Sequence, residues 1–244
     1  MTRKRADLLL VERGLFDSRA RAQAAIAAGL VVADGKPVAK ASEMLAPDAA
    51  IEAQAAHPFV SRGGLKLDHI LTAFDIAVAG RVALDLGAST GGFSDVLLRR
   101  GIAKVYAVDV GRDQLHAGLR AEPRLVLLEG VDARRLDSAL VPDAVDLIVA
   151  DVSFISLSLV LPPVLVLAAP QADLAVLIKP QFEAGREKVG KGGIVRDGAV
   201  HRQVCERIAG LVTSLGWRVR GIVPSPIEGG DGNREFLLAA ERVS

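Results

Sequence analysis

Residues 173–185, DLAVLIKPQFEAG, set a lysine at the end of five apolar residues and directly before a proline. Residues 174–178 read as a fully buried strand. Pro180 has no amide hydrogen and biases the residue before it toward extended backbone, so Lys179 is predicted to end that strand. Ligands bind at the carboxyl ends of strands in a parallel sheet, which makes Lys179 a candidate for chemistry. Three more polar residues stand in comparable places. Asp151 ends the apolar run VDLIVA, and Glu235 opens FLLAA after EGGDGN. Lys66 lies in the first turns of a helix whose apolar face is Leu67, Ile70, Leu71 and Phe74, so it sits off that face.

The stretch VALDLGASTGGFSDVLL carries a second set. Gly87, Gly91 and Gly92 let backbone approach a ligand, and a helix starting near Gly92 offers its amide end. The spacing is not the G-x-G-x-x-G of dinucleotide enzymes, and Asp85 would repel a pyrophosphate. A cationic cofactor with a sulfonium and an ammonium group would be attracted instead. Asp109, at the end of VYAVD, can take both ribose hydroxyls, as an acid does in nucleotide sites. Asp132, in GVDARRL, can accept from an adenine amino group. With Ser89 and Phe93 in the first turn, and Asp151 beside it, these are the candidate contacts to S-adenosylmethionine.

The elements that must position these residues follow from the pattern. The chain has 244 residues, half of them apolar, which is ample for a core. The single cysteine, Cys205, excludes a disulfide framework and cysteine-rich zinc sites, and fits a cytoplasmic setting. The basic start is interrupted by Asp7 and Glu12 and reads as no export signal. LSLVLPPVLVLAAP is short of a membrane span and holds three prolines, so it reads as a core helix or loop. Net charge is +1, but the first forty residues lean basic. There, two short helices, the second capped by Ser18, precede two strands about an Asp34-Gly35 turn. Pro58 and the Gly63-Gly64 pair mark a boundary, giving domains 1–59 and 60–244. Beyond it strands and helices alternate, predicting a doubly wound α/β domain with a mostly parallel sheet. No helix separates the last two strands, so one of them should run antiparallel, the Rossmann-like architecture of S-adenosylmethionine-dependent methyltransferases.

The run RADLLLVERGLFDSRARAQAAIAAGLVVADGKPV resembles the S4 RNA-binding domain, with Arg5, Asp7, Ser18, Arg19, Ala22, Ile26, Gly29, Val31 and Gly35 on that family's pattern. The resemblance implies docking on structured RNA, with Arg3, Lys4, Arg5, Arg19, Arg21 and Arg62 as candidate contacts. VSRGGLKL, LDLGASTGGFSDVLL, VYAVDVG, DVSFISL, LIKPQFE and GNREFLL resemble the TlyA family, whose catalytic domain is similar to the FtsJ-type ribose 2'-O-methyltransferases. That resemblance implies methylation of cytidine 2'-hydroxyls in 16S or 23S ribosomal RNA, or both. It also implies a Lys-Asp-Lys-Glu tetrad at Lys66, Asp151, Lys179 and Glu235.

A ribose hydroxyl needs a group to take its proton as the methyl is transferred. A lysine does so only from its neutral form, which a second ammonium nearby favours. Lys179 is then the candidate base and Asp151 its orienting partner. Lys66 would hold the ribose or a neighbouring phosphate, and Glu235 would position the hydroxyl or Lys66. No metal is expected, because the sulfonium is already a good leaving group. The expected partner is ribosomal RNA or a ribosomal subunit, and the expected state is a monomer. Two other readings stand beside this one, a non-catalytic RNA-binding protein and a membrane-active haemolysin, a label the family has carried. The complete set of cofactor acids argues against the first. The lack of a spanning or strongly amphipathic segment argues against the second.

Overall fold

The computed structural model describes residues 2–229 and 232–243. Its contacts divide the chain into one unit ending at Pro58 and another beginning at Phe59.

The first unit runs β1 (Lys4–Arg5), α1 (Ala6–Glu12), α2 (Arg19–Ala27), β2 (Val31–Ala33), β3 (Lys36–Pro37), β4 (Met44–Leu45) and β5 (Ile51–Ala53). Ser18 caps α2, its hydroxyl accepting from the Arg21 N–H. Asp34 and Gly35 both lie in the left-handed region, at φ 49° and 74°, as the turn of a two-residue hairpin requires. β2 pairs antiparallel with β3 and with β5. Leu9, Leu10, Ala22, Ala25, Ile26 and Val31 form the core of this unit. The pairing of β1 with β4 was not anticipated, because two-residue strands are too short to show alternation.

The second unit runs α3 (Gly63–Ala73), β6 (Val82–Leu86), α4 (Gly92–Arg99), β7 (Lys104–Asp109), α5 (Ala117–Arg120), β8 (Leu125–Glu129), β9 (Val145–Ala150), α6 (Leu157–Val164), β10 (Ala168–Ile178), α7 (Pro180–Glu183), α8 (Gly198–Ser214), β11 (Trp217–Pro224) and β12 (Phe236–Arg242). Seven strands form one sheet in the order β11-β12-β10-β9-β6-β7-β8. β6 to β10 are mutually parallel, and β12 is inserted antiparallel to both β10 and β11, as expected. Alternation along the strands divides the core in two. Ala83, Val105, Leu147, Val149, Ala175, Leu177 and Leu237 pack with residues of α3 and α4. Leu84, Leu86, Ile148, Val176, Ile178 and Leu238 pack with residues of α6 and α8.

One expected boundary shifts. The greasy segment gives α6, with Pro162 and Pro163 inside it, but β10 already begins at Ala168 and takes in Pro170. The β9 pairing jumps from Ala168 to Asp173, so Pro170 falls in the irregular stretch, where its missing N–H breaks no ladder.

Candidate active site

The parity of the strands decides which polar side chains meet. Val149, Leu177 and Leu237 all pack on the α3 and α4 side. Two residues beyond the first pair come Asp151 and Lys179, and two residues before Leu237 comes Glu235, so the same facing carries past the strand ends. Ile178 lies opposite Phe236 in the β10–β12 ladder, which sets Lys179 beside Glu235. Lys66 arrives from the first turn of α3.

The four side chains converge. Lys66 Nζ donates to Glu235 Oε2 at 2.6 Å and lies 4.0 Å from Asp151 Oδ2. Asp151 Oδ1 lies 2.5 Å from Lys179 Nζ. That contact is an ion pair without hydrogen-bond alignment. The aligned bond from Lys179 Nζ runs to Ser153 Oγ at 2.9 Å. Lys66, Lys179 and Glu235 keep only 8%, 9% and 4% of their exposure. Two cations and two anions thus balance in a largely desolvated place, where a lone buried charge would cost several kcal/mol.

The segment after Asp151 is fixed at its far end by Glu183 of α7. This carboxylate accepts from Ser156 Oγ and from the Leu157 N–H, both at 2.7 Å, and pairs with Arg207 at 2.9 Å. Between these anchors Phe154 adopts φ 63°, is 90% exposed, and stands with its ring 5.0 Å from that of Phe182. A non-glycine residue held in that region signals local strain of the kind found at functional sites.

A cleft of about 380 Å³ opens at the carboxyl ends of the strands. Gly87, Ser89, Asp109, Asp132 and Asp151 line it, with apolar walls from Val108, Val110, Val131, Ile155 and Val160. Asp109 accepts the N–H groups of Ser89 and Gly111, each at 2.7 Å. Asp132 pairs with Arg134, whose guanidinium pulls the carboxyl down to about 2. Gly87, at φ 79°, is glycine for a packing reason as well, since a Cβ would stand 2.6 Å from the Asp151 carbonyl oxygen. The acidic rim and apolar walls suit a cationic nucleoside such as S-adenosylmethionine.

Asp85, Gly91, Gly92 and Phe93 do not line this cleft. Parity turns Asp85 with Ala83 toward α4, where it is fully buried and accepts from Ser94 Oγ at 2.7 Å. Burial pushes its carboxyl up to about 7, and the charges of Asp151 and Asp109 add to the shift. Gly91 and Gly92 also sit where a side chain would clash. A Cβ on Gly91 would meet Leu119 and Leu115 at 2.5 and 2.8 Å, and one on Gly92 would meet Ser61 Oγ at 2.2 Å. Phe93 belongs to the core. Conversely, Gln114, Ser153 and Phe154 line the cleft without having been singled out. In a chain with seven phenylalanines, one tryptophan and one tyrosine, an aromatic just past a ligand-binding strand end was the available signal.

In the first unit, Asp7 is fully buried and gathers two of the candidate RNA contacts. Arg5 reaches it at 3.0 and 3.1 Å, Arg19 at 2.9 Å and Gln23 at 2.8 Å. The Arg5 guanidinium holds the Asp7 carboxyl well below the usual range, with Gln23 and Arg19 adding to the effect. Lys4 pairs with Glu12 and Arg21 with Asp17. Arg3, Lys4, Arg5 and Arg19 border a surface hollow with exposed Leu8 and Met44. Arg62 is exposed at the start of α3 in the second unit. Among the described residues, no helix is long and apolar enough to cross a membrane, and no three His, Cys, Asp or Glu side chains converge as a metal site.

The pattern of the FtsJ-like methyltransferase family matches residues 59–242, and that of the S4 domain matches residues 4–51. The 16S/23S rRNA (cytidine-2'-O)-methyltransferase TlyA of Mycobacterium tuberculosis is 46% identical over 97% of this chain and 89% of its own length. Hemolysin A of Brachyspira hyodysenteriae is 37% identical over 96% of this chain and 98% of its own. A solved structure of a candidate hemolysin from Streptococcus thermophilus superposes with a TM-score of 0.78 at 39% identity, covering 100% of this chain and 90% of that one.

Proposed function

Because the chain belongs to the FtsJ-like methyltransferase family and carries an S4 domain ahead of the methyltransferase domain, we propose that it methylates cytidine ribose 2'-hydroxyls in ribosomal RNA, using S-adenosylmethionine. The carrying observation is Lys179, nine-tenths buried and paired with Asp151, which lines the acidic cleft. Bound in that cleft, S-adenosylmethionine supplies a methyl group on a sulfonium that leaves with the electrons of the broken bond, so no metal is called for. Asp109 would receive the ribose hydroxyls of the cofactor, and Ser89 and Gly87 would let its backbone approach.

Lys179 takes the proton of the 2'-hydroxyl on its Nζ lone pair while the oxygen forms its new bond to carbon. Asp151 offsets the positive charge of both lysines. Glu235 holds Lys66, which faces the ribose or its phosphate. The exposed ring of Phe154 offers a face on which an unstacked base can lie, the usual mode of recognition for single-stranded RNA. The S4 unit, with its basic rim, supplies affinity for structured RNA. A protein with this substrate works in the cytoplasm. Two of the relatives described above bear the name hemolysin, but nothing in the described residues favours membrane insertion over methyl transfer.

The test is Lys179→Arg beside Lys179→Ala. Arginine keeps the charge but gives up no proton in a protein. Both variants should fold and bind S-adenosylmethionine by calorimetry, and both should lose roughly 10²–10⁴-fold in single-turnover methyl transfer, the share a general base contributes. An arginine variant near the wild-type rate would show that Lys179 only holds charge.

A further inference from the structure

We propose that Ser153 aims the base. Its Oγ fixes the rotation of the Lys179 amine so that the lone pair of the neutral form points at the substrate hydroxyl. This inference rests on the methyl-transfer reading and deepens it, adding to the Lys-Asp-Lys-Glu set a residue outside it.

The amine of a lysine rotates freely about its last carbon–nitrogen bond unless something stops it. Asp151 alone does not stop it. Its Oδ1 is 2.5 Å from Nζ but out of hydrogen-bond alignment, so it draws an N–H toward it without fixing the rotation by itself. Ser153 Oγ, at 2.9 Å, is the aligned acceptor. A neutral amine has two N–H bonds and one lone pair. With one N–H on Ser153 and the other drawn to Asp151, the lone pair falls in the remaining tetrahedral direction. When the O–H bond of the ribose breaks, its proton goes to that lone pair. The resulting ammonium keeps both partners in place, so no reorganisation accompanies the transfer.

The hydroxyl is also suited by its neutrality. A second carboxylate in its place would hold the charged lysine more strongly and oppose the neutral form that accepts a proton. Its position is fixed from both sides. Asp151 N–H donates to the Leu86 carbonyl at 2.9 Å on one side, and Glu183 clamps Ser156 and Leu157 on the other. Ser153 is exposed and lines the cleft, so it carries little of the core, and substitution there leaves the fold intact.

The experiment compares Ser153→Ala and Ser153→Thr in the full chain. It measures single-turnover methyl transfer to ribosomal RNA at saturating concentrations, calorimetric affinity for S-adenosylmethionine, RNA affinity and the unfolding midpoint. The alanine variant should slow transfer between about 10-fold and 100-fold, the span of a hydrogen bond to a charged group, with both affinities and the midpoint unchanged. Threonine, which keeps the hydroxyl, should restore most of the rate. An alanine variant at the wild-type rate overturns the proposal, as does a threonine variant as slow as alanine. A loss confined to cofactor or RNA affinity overturns it too, since Ser153 would then serve binding. Wild-type protein that transfers no methyl group to ribosomal RNA defeats the enzyme reading itself, whereas an active wild type with an equally active alanine variant defeats only the role of Ser153.

Discussion

Replacing Asp85 by asparagine should remove a pH dependence of stability that runs against the usual direction for an aspartate. Asp85 is fully buried under α4, with Oδ2 on Ser94 and Oδ1 without a partner. Burial raises its carboxyl from 3.8 to about 7. Below pH 4 the folded and unfolded forms are both protonated, and the group costs nothing. As pH rises from 4 to 7 the unfolded chain releases its proton first, so unfolding gains and stability falls. Above pH 7 both forms are ionised and the loss is complete. Between pH 5 and pH 8 about two pH units of this window are crossed, which at about 1.36 kcal/mol each comes to roughly 3 kcal/mol. Denaturant melts of wild type and Asp85→Asn at steps across that range isolate the effect, because titrating groups that do not interact with Asp85 cancel in the difference. The asparagine variant should gain on wild type by about that amount at the alkaline end. Parallel stability curves would refute the buried, proton-retaining Asp85.

Asp109→Asn keeps one oxygen, for the Ser89 or the Gly111 amide but not both, loses the charge, and should weaken S-adenosylmethionine binding by about 2 kcal/mol by calorimetry; unchanged affinity would remove Asp109 from the cofactor site. Glutamate at Arg3 and Lys4 should flatten the fall of RNA affinity with salt, measured by filter binding. Arg5 and Arg19 are poor choices for that test, since reversing either sets a second carboxylate against the buried Asp7. A fragment starting at Phe59 should fold and bind cofactor while failing to methylate ribosomal RNA, and full turnover by it would refute a binding role for the S4 unit.

Much of the second unit was legible because its signals are local. Pro180 ended a strand, and the lack of a helix before FLLAA required an antiparallel strand; in the first unit the Asp34-Gly35 pair made a turn. The convergence of Asp151, Lys179 and Glu235 was also written in the chain, as even spacings from Val149, Leu177 and Leu237. What stayed hidden depends on facing rather than type. Asp85 sits at a strand end like Asp109, yet parity turns it under α4. Arg5 and Arg19 look like free surface cations, but a carboxylate buried between them claims part of each. Ser153 meets Lys179 from a loop whose next residue, Phe154, is left-handed, which nothing in the residue names announces.

β12 comes later in the chain than every other strand, yet it sits inside the sheet, between β10 and β11. Among the described residues β12 is the only strand beside β11, so β11 cannot join the sheet until the later strand has been made. Glu235, the partner of Lys66, enters with that neighbour. A copy clipped before Glu235 would lose in one cut both the carboxylate that pairs with Lys66 and the strand that joins β11 to the sheet.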